Sequence, residues 1–333
     1  MRFLIIGIVI ISVMLALLPH IVYLLSKLLS FFVPLRISYR PFGFAALVLV
    51  ALWVAVALWG NIYGRFRHEI KEVQLSFETL PRAFDGLRVV HISDLHLDGW
   101  VGHERQLQER IDEINAIEPD IICFTGDLVS MGADELKPFV SILQKLRAKG
   151  EGRVYAVLGN HDYMPYNRSL NPFERMAAIA ELVRMEREEL GWTVLLNESE
   201  IICRDSDSIA ILGCENQSVG AHPVVQRGDL QKTMEGIDCE RTFCILLTHD
   251  PSQWRKEVLP ETAIPLTLSG HTHAMQMRLL GFTPSKWIYP ECDGLYTAEG
   301  RHLYVNIGLG GTLPWRIGAT PEITLLTLNR LSN

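Results

Sequence analysis

A carboxylate and an imidazole stand two residues apart where an apolar stretch ends. Residues 87–92 read LRVVHI, and Asp94 and His96 follow closely. Side chains i and i+2 of an extended chain project to the same side, so these two groups could bind one metal ion together. The alternative, from this stretch alone, is a polar strand end followed by a loop.

Four more polar clusters follow apolar runs of their own. They are Gly126-Asp127, the G-N-H-D run at 159–162, His249, and the G-H-T-H run at 270–273. Strand ends in α/β sheets are the usual place for a ligand. Carboxylate, imidazole and amide groups without a thiolate suit Mn²⁺, Fe²⁺ or Zn²⁺. Each cluster alone is weak evidence, because a Gly-Asp pair is usually a turn, but five in this order favour a metal centre.

The elements that must position these clusters follow from the hydrophobic pattern. After residue 70, strand-like runs first alternate with helical patterns at 104–117, at 134–148 and from 171 to 191. Asn171, Pro172 and Glu174 give the third helix a capping-box start. The second half is mostly short strand-like runs separated by turns. This α/β pattern predicts two packed mixed β-sheets flanked by helices.

Two long apolar segments precede this region and predict membrane-spanning helices. No Asp, Glu, Lys or Arg lies between Arg2 and Lys27 or between Arg40 and Arg65. A helix of roughly 20 apolar residues spans a bilayer, so we expect spans at about 3–26 and 42–63. Residues 1–64 would then be a membrane anchor and residues 65–333 one further domain. A cleavable signal peptide is the alternative for the first segment, although no A-x-A-like site precedes its proline.

Charge and cysteine usage indicate the compartment and the kind of partner. Basic residues around the two predicted spans place the large domain on the cytoplasmic side of the cell membrane by a small excess. The six cysteines are scattered without a C-x-x-C pair, which agrees with a reducing compartment. A net charge of −7 argues against a nucleic-acid partner. The oligomeric state is not indicated.

The five clusters together resemble the signature of the calcineurin-like metallophosphoesterase superfamily, which reads D-x-H, G-D, G-N-H-[DE], H and G-H-x-H. The resemblance covers residues 70–330. The L-S-G-H-T-H run and the ending at 303–328 resemble its membrane-associated branch, of the YkuE, YaeI and LpxG type. That branch usually continues from the last histidine with Gly-Gly-Gln, whereas Ala274, Met275 and Gln276 stand here.

The resemblance implies an αββα catalytic domain at 65–333 with a two-metal site. Seven side chains would hold two divalent ions, three on each ion and one between them. Asp94, His96 and His273 would hold one ion, Asn160, His249 and His271 the other, and Asp127 would bridge both.

Such a site would hydrolyse a phosphoester with a metal-activated hydroxide. His161 would donate a proton to the leaving oxygen, and Asp162 would hold the His161 ring in place.

The predicted anchor favours a membrane-borne substrate, such as the phosphodiester or pyrophosphate of a UDP-acylated sugar. Apolar and aromatic residues at 163–173 and 275–290 could form a rim for acyl chains, or could simply pack as loops. Arg278, Lys286 and Arg316 are candidates to contact phosphate.

Three alternatives to this function remain at this point. The first is a phosphodiesterase of broad specificity on soluble substrates, for which the anchor serves only localisation. The second is an inactive membrane scaffold, which the intact set of metal-ligand types disfavours. The third is a purely structural metal site, but closed structural zinc sites are usually rich in cysteine.

Overall fold

The computed structural model describes residues 2–33, 36–150, 152–219 and 224–331, with the backbone alone for residues 2 and 3. The helices are α1 (Arg2–Leu29), α2 (Arg40–Trp59), α3 (Glu104–Ala116), α4 (Val140–Leu143), α5 (Pro172–Arg184), α6 (Leu230–Thr233) and α7 (Leu259–Glu261). The strands are β1 (Glu69–Phe77), β2 (Leu87–Ile92), β3 (Ile121–Phe124), β4 (Val154–Ala156), β5 (Thr193–Val194), β6 (Glu198–Arg204), β7 (Asp207–Gly213), β8 (Phe243–Leu247), β9 (Leu266–Ser269), β10 (Gly294–Ala298), β11 (Arg301–Val305) and β12 (Glu322–Arg330).

The twelve strands of the described residues form two mixed sheets of six strands each. The first sheet has the order β1-β12-β2-β3-β4-β5, and the second has the order β10-β11-β9-β8-β7-β6. In the first sheet β2, β3 and β4 run parallel, while β12 runs antiparallel to β2. In the second sheet β7, β8 and β9 run parallel. The prediction of two mixed sheets flanked by helices is confirmed.

The two sheets pack face to face over an apolar core. Val89 of β2, Tyr155 of β4, Ile245 of β8 and Leu268 of β9 belong to this layer, and each is at most 2% exposed. The other face of each sheet is covered as well, so the central strands are buried on both sides. Continuous apolar runs such as FCILL, rather than alternating ones, are the sequence expression of this double burial.

The helical predictions agree with the structure in two places and differ in one. Helix α3 is present, and Asn171 caps α5 by accepting hydrogen bonds from the backbone N–H groups of Phe173 and Glu174. The helix predicted at 134–148 is wrong, because only Val140–Leu143 is α-helical there. Pro138 interrupts the segment, since proline lacks the N–H that a continuous helix requires.

Helices α1 and α2 are candidate membrane spans by length and composition. The apolar segments Leu4–Leu29 and Arg40–Gly64 have mean hydropathies of 2.7 and 2.5, and only 6% and 17% of their most apolar windows are buried. A core helix of a soluble protein would be covered by its own chain, whereas these helices leave most of their apolar surface outward. A five-residue π-helical turn, Gly60–Gly64, continues α2 toward the first strand.

Candidate metal centre

The carboxyl ends of the central strands meet at one place between the two sheets. Strands β2, β3 and β4 lead into Asp94, Asp127 and Asn160, and strands β8 and β9 lead into His249 and His271. Because neighbouring strands within each group are parallel, their ends lie at the same edge. All five clusters found in the sequence are therefore brought together.

Four buried side chains form one group that could hold a metal ion, namely Asp94, His96, Asp127 and His273. Nε2 of His273 lies 3.3 Å from Oδ1 of Asp94, and Nε2 of His96 lies 3.5 Å from Oδ2 of Asp127. The two imidazoles face each other, with 3.2 Å between their Nε2 atoms. One ligand atom from each of the four residues lies within 4.8 Å of the others.

A second group of ligands adjoins the first and shares Asp127. Nε2 of His249 lies 3.2 Å from Oδ2 of Asp127, and 3.2 Å from Nδ1 of His271. The same Nδ1 atom lies 2.8 Å from the amide oxygen of Asn160. The structure thus places six of the seven predicted ligands in two adjoining groups, with Asp127 common to both. The seventh, Asn160, adjoins the second group through its contact with His271.

The polar atoms in this cluster fit a pair of divalent cations. Oδ1 of Asp94 is buried and has no hydrogen-bond partner in the part of the chain described by the structure. Burying an unpaired carboxylate oxygen and converging nitrogen lone pairs is unfavourable unless a cation or a proton joins them. Oxygen and imidazole nitrogen ligands are those that Mn²⁺, Fe²⁺ and Zn²⁺ accept.

Burial and mutual charge set the protonation of these groups. Burial lowers the pKa of His96 to about 3, so this imidazole is neutral and its lone pair can bind a metal. Burial alone would raise the pKa of Asp127, but the neighbouring His249 and His161 hold it well below its usual range. For His249 the two effects have the opposite signs. Burial would lower the pKa of this imidazole, yet the charge of Asp127 raises it to about 10.

The backbone around the ligands is held in an unusual conformation. Asp94, His96, Asp127, His271 and His273 all have positive φ, between 45° and 74°. Non-glycine residues avoid this region, and such residues concentrate at functional sites. Gly126 and Gly159 allow the turn after β3 and the turn after β4 to approach each other closely. A Cβ on Gly126 would lie 2.3 Å from the backbone nitrogen of Gly159.

His161 lies at the edge of the metal centre with one ring nitrogen fixed. Its Nδ1 atom is 2.9 Å from the carbonyl oxygen of Ser130. Because a carbonyl only accepts hydrogen bonds, Nδ1 carries the proton and Nε2 is left for exchange with a ligand. The ring centroid lies 4.8 Å from that of His96, edge to face, and 4.5 Å from that of Tyr166.

The prediction that Asp162 holds the His161 ring is wrong. The Asp162 carboxylate accepts hydrogen bonds from the backbone N–H groups of Asp127 at 2.8 Å, Gly159 at 2.8 Å and Val129 at 3.1 Å. It therefore ties the turn after β3 to the turn after β4. Adjacent side chains on a helical turn diverge, so Asp162 points into the protein while His161 points toward the site.

Sequence reasoning missed the groups that surround the second set of ligands. The hydroxyl of Tyr289 lies 2.7 Å from Nε2 of His271, and the amide of Asn160 donates to the hydroxyl of Tyr166 at 3.2 Å. Asp250 lies 3.7 Å from the same nitrogen of His271. Asp250 follows His249 directly, which was a usable signal, whereas neither tyrosine has a spacing that would have singled it out.

The three predicted phosphate contacts lie in different environments. Arg316 is 1% exposed, and its guanidinium donates to the carbonyl oxygens of Ile307, Gly308 and Gly310 behind His273. This burial suits a residue that supports the metal centre better than one that contacts substrate. Arg278 forms an ion pair with Asp293, and Lys286 is exposed on a nearby turn.

The residues after the last histidine of the G-H-T-H run clamp the loop that carries Arg316. Ala274, Met275 and Gln276 have φ values of 49°, 49° and 53°. The amide of Gln276 donates to the carbonyl oxygens of Leu313 and Trp315 at 3.0 and 2.8 Å. Ala274 and Met275 thus occupy backbone positions that favour glycine, which is the residue the resemblance leads one to expect there.

Sequence comparisons with known proteins point to one family. The family model of the calcineurin-like phosphoesterases matches residues 87–275. The uncharacterized metallophosphoesterase YkuE of Bacillus subtilis is 31% identical over 81% of this chain and 90% of its own. A transmembrane protein with metallophosphoesterase domain from Danio rerio is 28% identical over 86% of this chain and 64% of its own length. Among solved structures, a dimetal phosphatase from Danio rerio covers 69% of this chain at 11% identity, with a TM-score of 0.42.

Proposed function

Because the chain belongs to the calcineurin-like phosphoesterase family and is a metal-dependent phosphohydrolase, we propose that it is a membrane-anchored phosphodiesterase or pyrophosphatase. The observation that carries this proposal is the sharing of Asp127 between two adjoining ligand groups. A carboxylate that faces two cations neutralises charge on both and keeps them close, which is the arrangement that two-metal phosphoester hydrolysis uses.

The ligand residues would hold the two ions as the resemblance implies, with Asp94, His96 and His273 on one side and Asn160, His249 and His271 on the other. When bound, such ions polarise phosphoryl oxygens and lower the pKa of a water molecule. Asp162 and Arg316 keep the ligand-bearing turns in place through backbone hydrogen bonds. The ion type that best suits these ligands is Mn²⁺, Fe²⁺ or Zn²⁺.

His161 is the group placed to handle the proton of the leaving oxygen. Its Nδ1–H is bound to the Ser130 carbonyl oxygen, so its Nε2 atom can carry a proton toward a substrate at the edge of the metal centre. A positioned imidazole of this kind typically contributes about 10²–10⁴-fold to a hydrolysis rate. This role is separate from metal binding, because His161 is not among the grouped ligands.

The substrate we propose is lipid-linked, such as a UDP-acylated sugar. Two candidate membrane spans adjoin the phosphoesterase domain, and a soluble nucleotide would not require them. Exposed apolar side chains also lie near the metal centre, on the segment that ends with Tyr289. The charge pattern of the loops favours a cytoplasmic position for the catalytic domain.

A phosphodiesterase of broad specificity is the second candidate. The metal centre would hydrolyse both kinds of substrate, so only relative specificity separates the two functions.

The test offers the detergent-solubilised protein, supplied with Mn²⁺, a nitrophenyl phosphodiester and a UDP-acylated sugar side by side. We expect both to be hydrolysed, the lipid with the higher kcat/KM, and both activities to be lost in Asp127→Asn. An equal or higher kcat/KM for the soluble diester would favour broad specificity. Activity that survives Asp127→Asn would contradict the two-metal assignment, and no turnover by the wild type with several metals would favour the inactive scaffold.

A further inference from the structure

A tight turn near the metal centre presents a leucine to the outside in a conformation that leucine avoids. Leu279 and Phe282 exchange two backbone hydrogen bonds of 2.9 Å, and Leu280 and Gly281 form the turn between them. Both turn residues have positive φ, 50° and 82°. A hairpin turn of this type normally carries Asn, Asp or Gly at its first position, because a branched side chain is strained there.

Leu280 is also completely exposed, and other apolar side chains lie along the same segment. The exposed fractions are 100% for Leu280, 75% for Leu279, 79% for Trp287 and 61% for Ile288. The backbone conformation of Leu280 is strained, and the exposure of its side chain to water is unfavourable as well. The ring centroids of Phe282 and Trp287 lie 5.4 Å apart, so the turn and the stretch that follows it share apolar surface. Exposed apolar surface that is joined in this way marks an interaction site on a folded protein.

The position of the turn relative to the apolar helices indicates a lipid bilayer as the partner of this surface. The backbone N–H of Arg278 donates to the carbonyl oxygen of Ile317 at 2.7 Å. Ile317 in turn packs against the cluster of Trp53 and Ala57 on α2 and Trp315. The turn therefore begins one residue from a segment that is docked on the second candidate membrane span.

The composition of the segment matches the boundary region of a bilayer. Tryptophan favours the level of the lipid headgroups, and an exposed lysine favours anionic lipid. Trp287 and Lys286 supply these two groups, while Leu279, Leu280 and Ile288 supply apolar side chains. Apolar side chains of this size are stabilised by transfer from water into hydrocarbon.

We propose that the segment 279–288 is a membrane-insertion element, whose turn enters the lipid leaflet beside the end of α2. The inference rests on the proposed membrane anchoring and adds a second point of contact with the bilayer. Tyr289, which follows directly, contacts His271 at 2.7 Å. Insertion of the segment would therefore hold the metal centre against the membrane surface.

The test uses an environment-sensitive fluorophore in phospholipid nanodiscs that contain anionic lipid. The background carries Cys203→Ser and Cys239→Ser, since the other four cysteines are buried. The label is attached at Leu280→Cys, at Ile201→Cys on β6 as an exposed control, and at Val13→Cys on α1 as a reporter of anchoring. Ile201 and Val13 are 52% and 53% exposed, so labelling disturbs neither core.

We expect the label at position 280 to shift its emission to the blue and to lose most of its emission to lipids that carry a quencher, while the label at position 201 does neither. A label at 280 that behaves like the one at 201 would overturn the inference. If the label at 13 still reports lipid in that case, the anchoring proposal stands alone. A label at 13 that reports water would overturn the anchoring proposal, and insertion beside α2 with it.

Discussion

The backbone N–H of Arg316 donates to the carbonyl oxygen of Gly60 at 3.2 Å. The residue that supports the metal centre from behind is thereby joined to the end of the second apolar helix. The guanidinium of Arg316 reaches to 3.5 Å from Nδ1 of His273, and its neighbour Trp315 packs edge to face on Trp53. The anchor and the metal centre are thus connected through one loop, and a change at the helix end should be felt at the site.

Gly64 tests this connection, because it is the closest approach of the helix end to the loop. A Cβ at Gly64 would lie 2.1 Å from the carbonyl oxygen of Arg316. We expect Gly64→Ala to lower the free energy of unfolding by about 1–3 kcal/mol, the usual cost of overpacking, and to weaken Mn²⁺ binding. Thermal unfolding in detergent and metal titration measure the two effects.

Gly132→Ala is the matched control for this change, since nothing lies within 4 Å of a Cβ at that position. It should leave both quantities unchanged. Equal behaviour of the two variants would mean that the helix end and the metal centre are independent.

The residues after His273 offer a change that should stabilise the protein. Ala274 and Met275 both have φ of 49°, which glycine adopts without strain. Each of Ala274→Gly and Met275→Gly should raise the free energy of unfolding by about 0.5–1 kcal/mol, because relief of strain at a left-handed residue exceeds the entropic cost of glycine. Denaturant unfolding checks this, and Ala133→Gly, in a right-handed turn, should destabilise instead.

His161→Gln separates proton transfer from metal binding. We expect kcat to fall by about 10²–10⁴-fold on an ester with a poor leaving group. The loss should be much smaller on a nitrophenyl ester, whose leaving group needs no proton. Metal content should stay at the wild-type value, and a variant that loses its metal would show that His161 is a ligand or supports one.

Glu186 should make stability depend on pH. Its carboxyl group is 1% exposed, and neither oxygen has a hydrogen-bond partner in the described part of the chain. Burial, with a further contribution from Asp162, raises the pKa of Glu186 well above its ordinary 4.5. The folded protein then holds a proton that the unfolded chain loses. The free energy of unfolding is therefore highest below about pH 4.5, where both states are protonated, and it falls as the pH rises toward the folded-state pKa of Glu186.

Glu186→Met removes the unpaired polar group and should raise the free energy of unfolding by about 1–3 kcal/mol, more at pH 8 than at pH 5. Glu186→Gln keeps the shape without the charge, so its advantage over wild type should also grow with pH. Denaturant unfolding at the two pH values measures both variants. A difference that is constant with pH would show that Glu186 ionises normally in the folded state.

The sequence was sufficient to predict which side chains come together at the strand ends, but not which groups hold them there. Asp94, His96 and Asp127 follow apolar runs whose double burial makes them central parallel strands, so strand position and ligand position could be predicted together. The support of the His161 ring could not be predicted. Its Nδ1 atom donates to the carbonyl oxygen of Ser130, and a contact with the main chain leaves no pattern of residue types in the sequence. The same holds for Tyr289, since its contact with His271 depends on how a loop folds back across the site.

Arg316 shows a related limit of sequence reasoning. A lone arginine beside a predicted active site suggests a contact with an anion. The guanidinium of Arg316 instead donates its hydrogen bonds to backbone carbonyl oxygens. Only the path of the glycine-rich loop from Gly308 to Gly311 brings those oxygens together. The helix predicted at 134–148 failed for a local reason, because Pro138 outweighs the helical spacing around it.

The most direct test of the two-metal centre counts the ions that Asp127 holds. Manganese bound per chain is measured by elemental analysis after equilibrium dialysis of the full-length protein in detergent, for wild type and for Asp127→Asn. Two ions should bind at saturation to the wild type, and one or none to the variant, because the carboxylate that both ligand groups share has lost its charge. Saturation of the wild type at a single ion, or retention of both ions by Asp127→Asn, would contradict the shared-carboxylate centre.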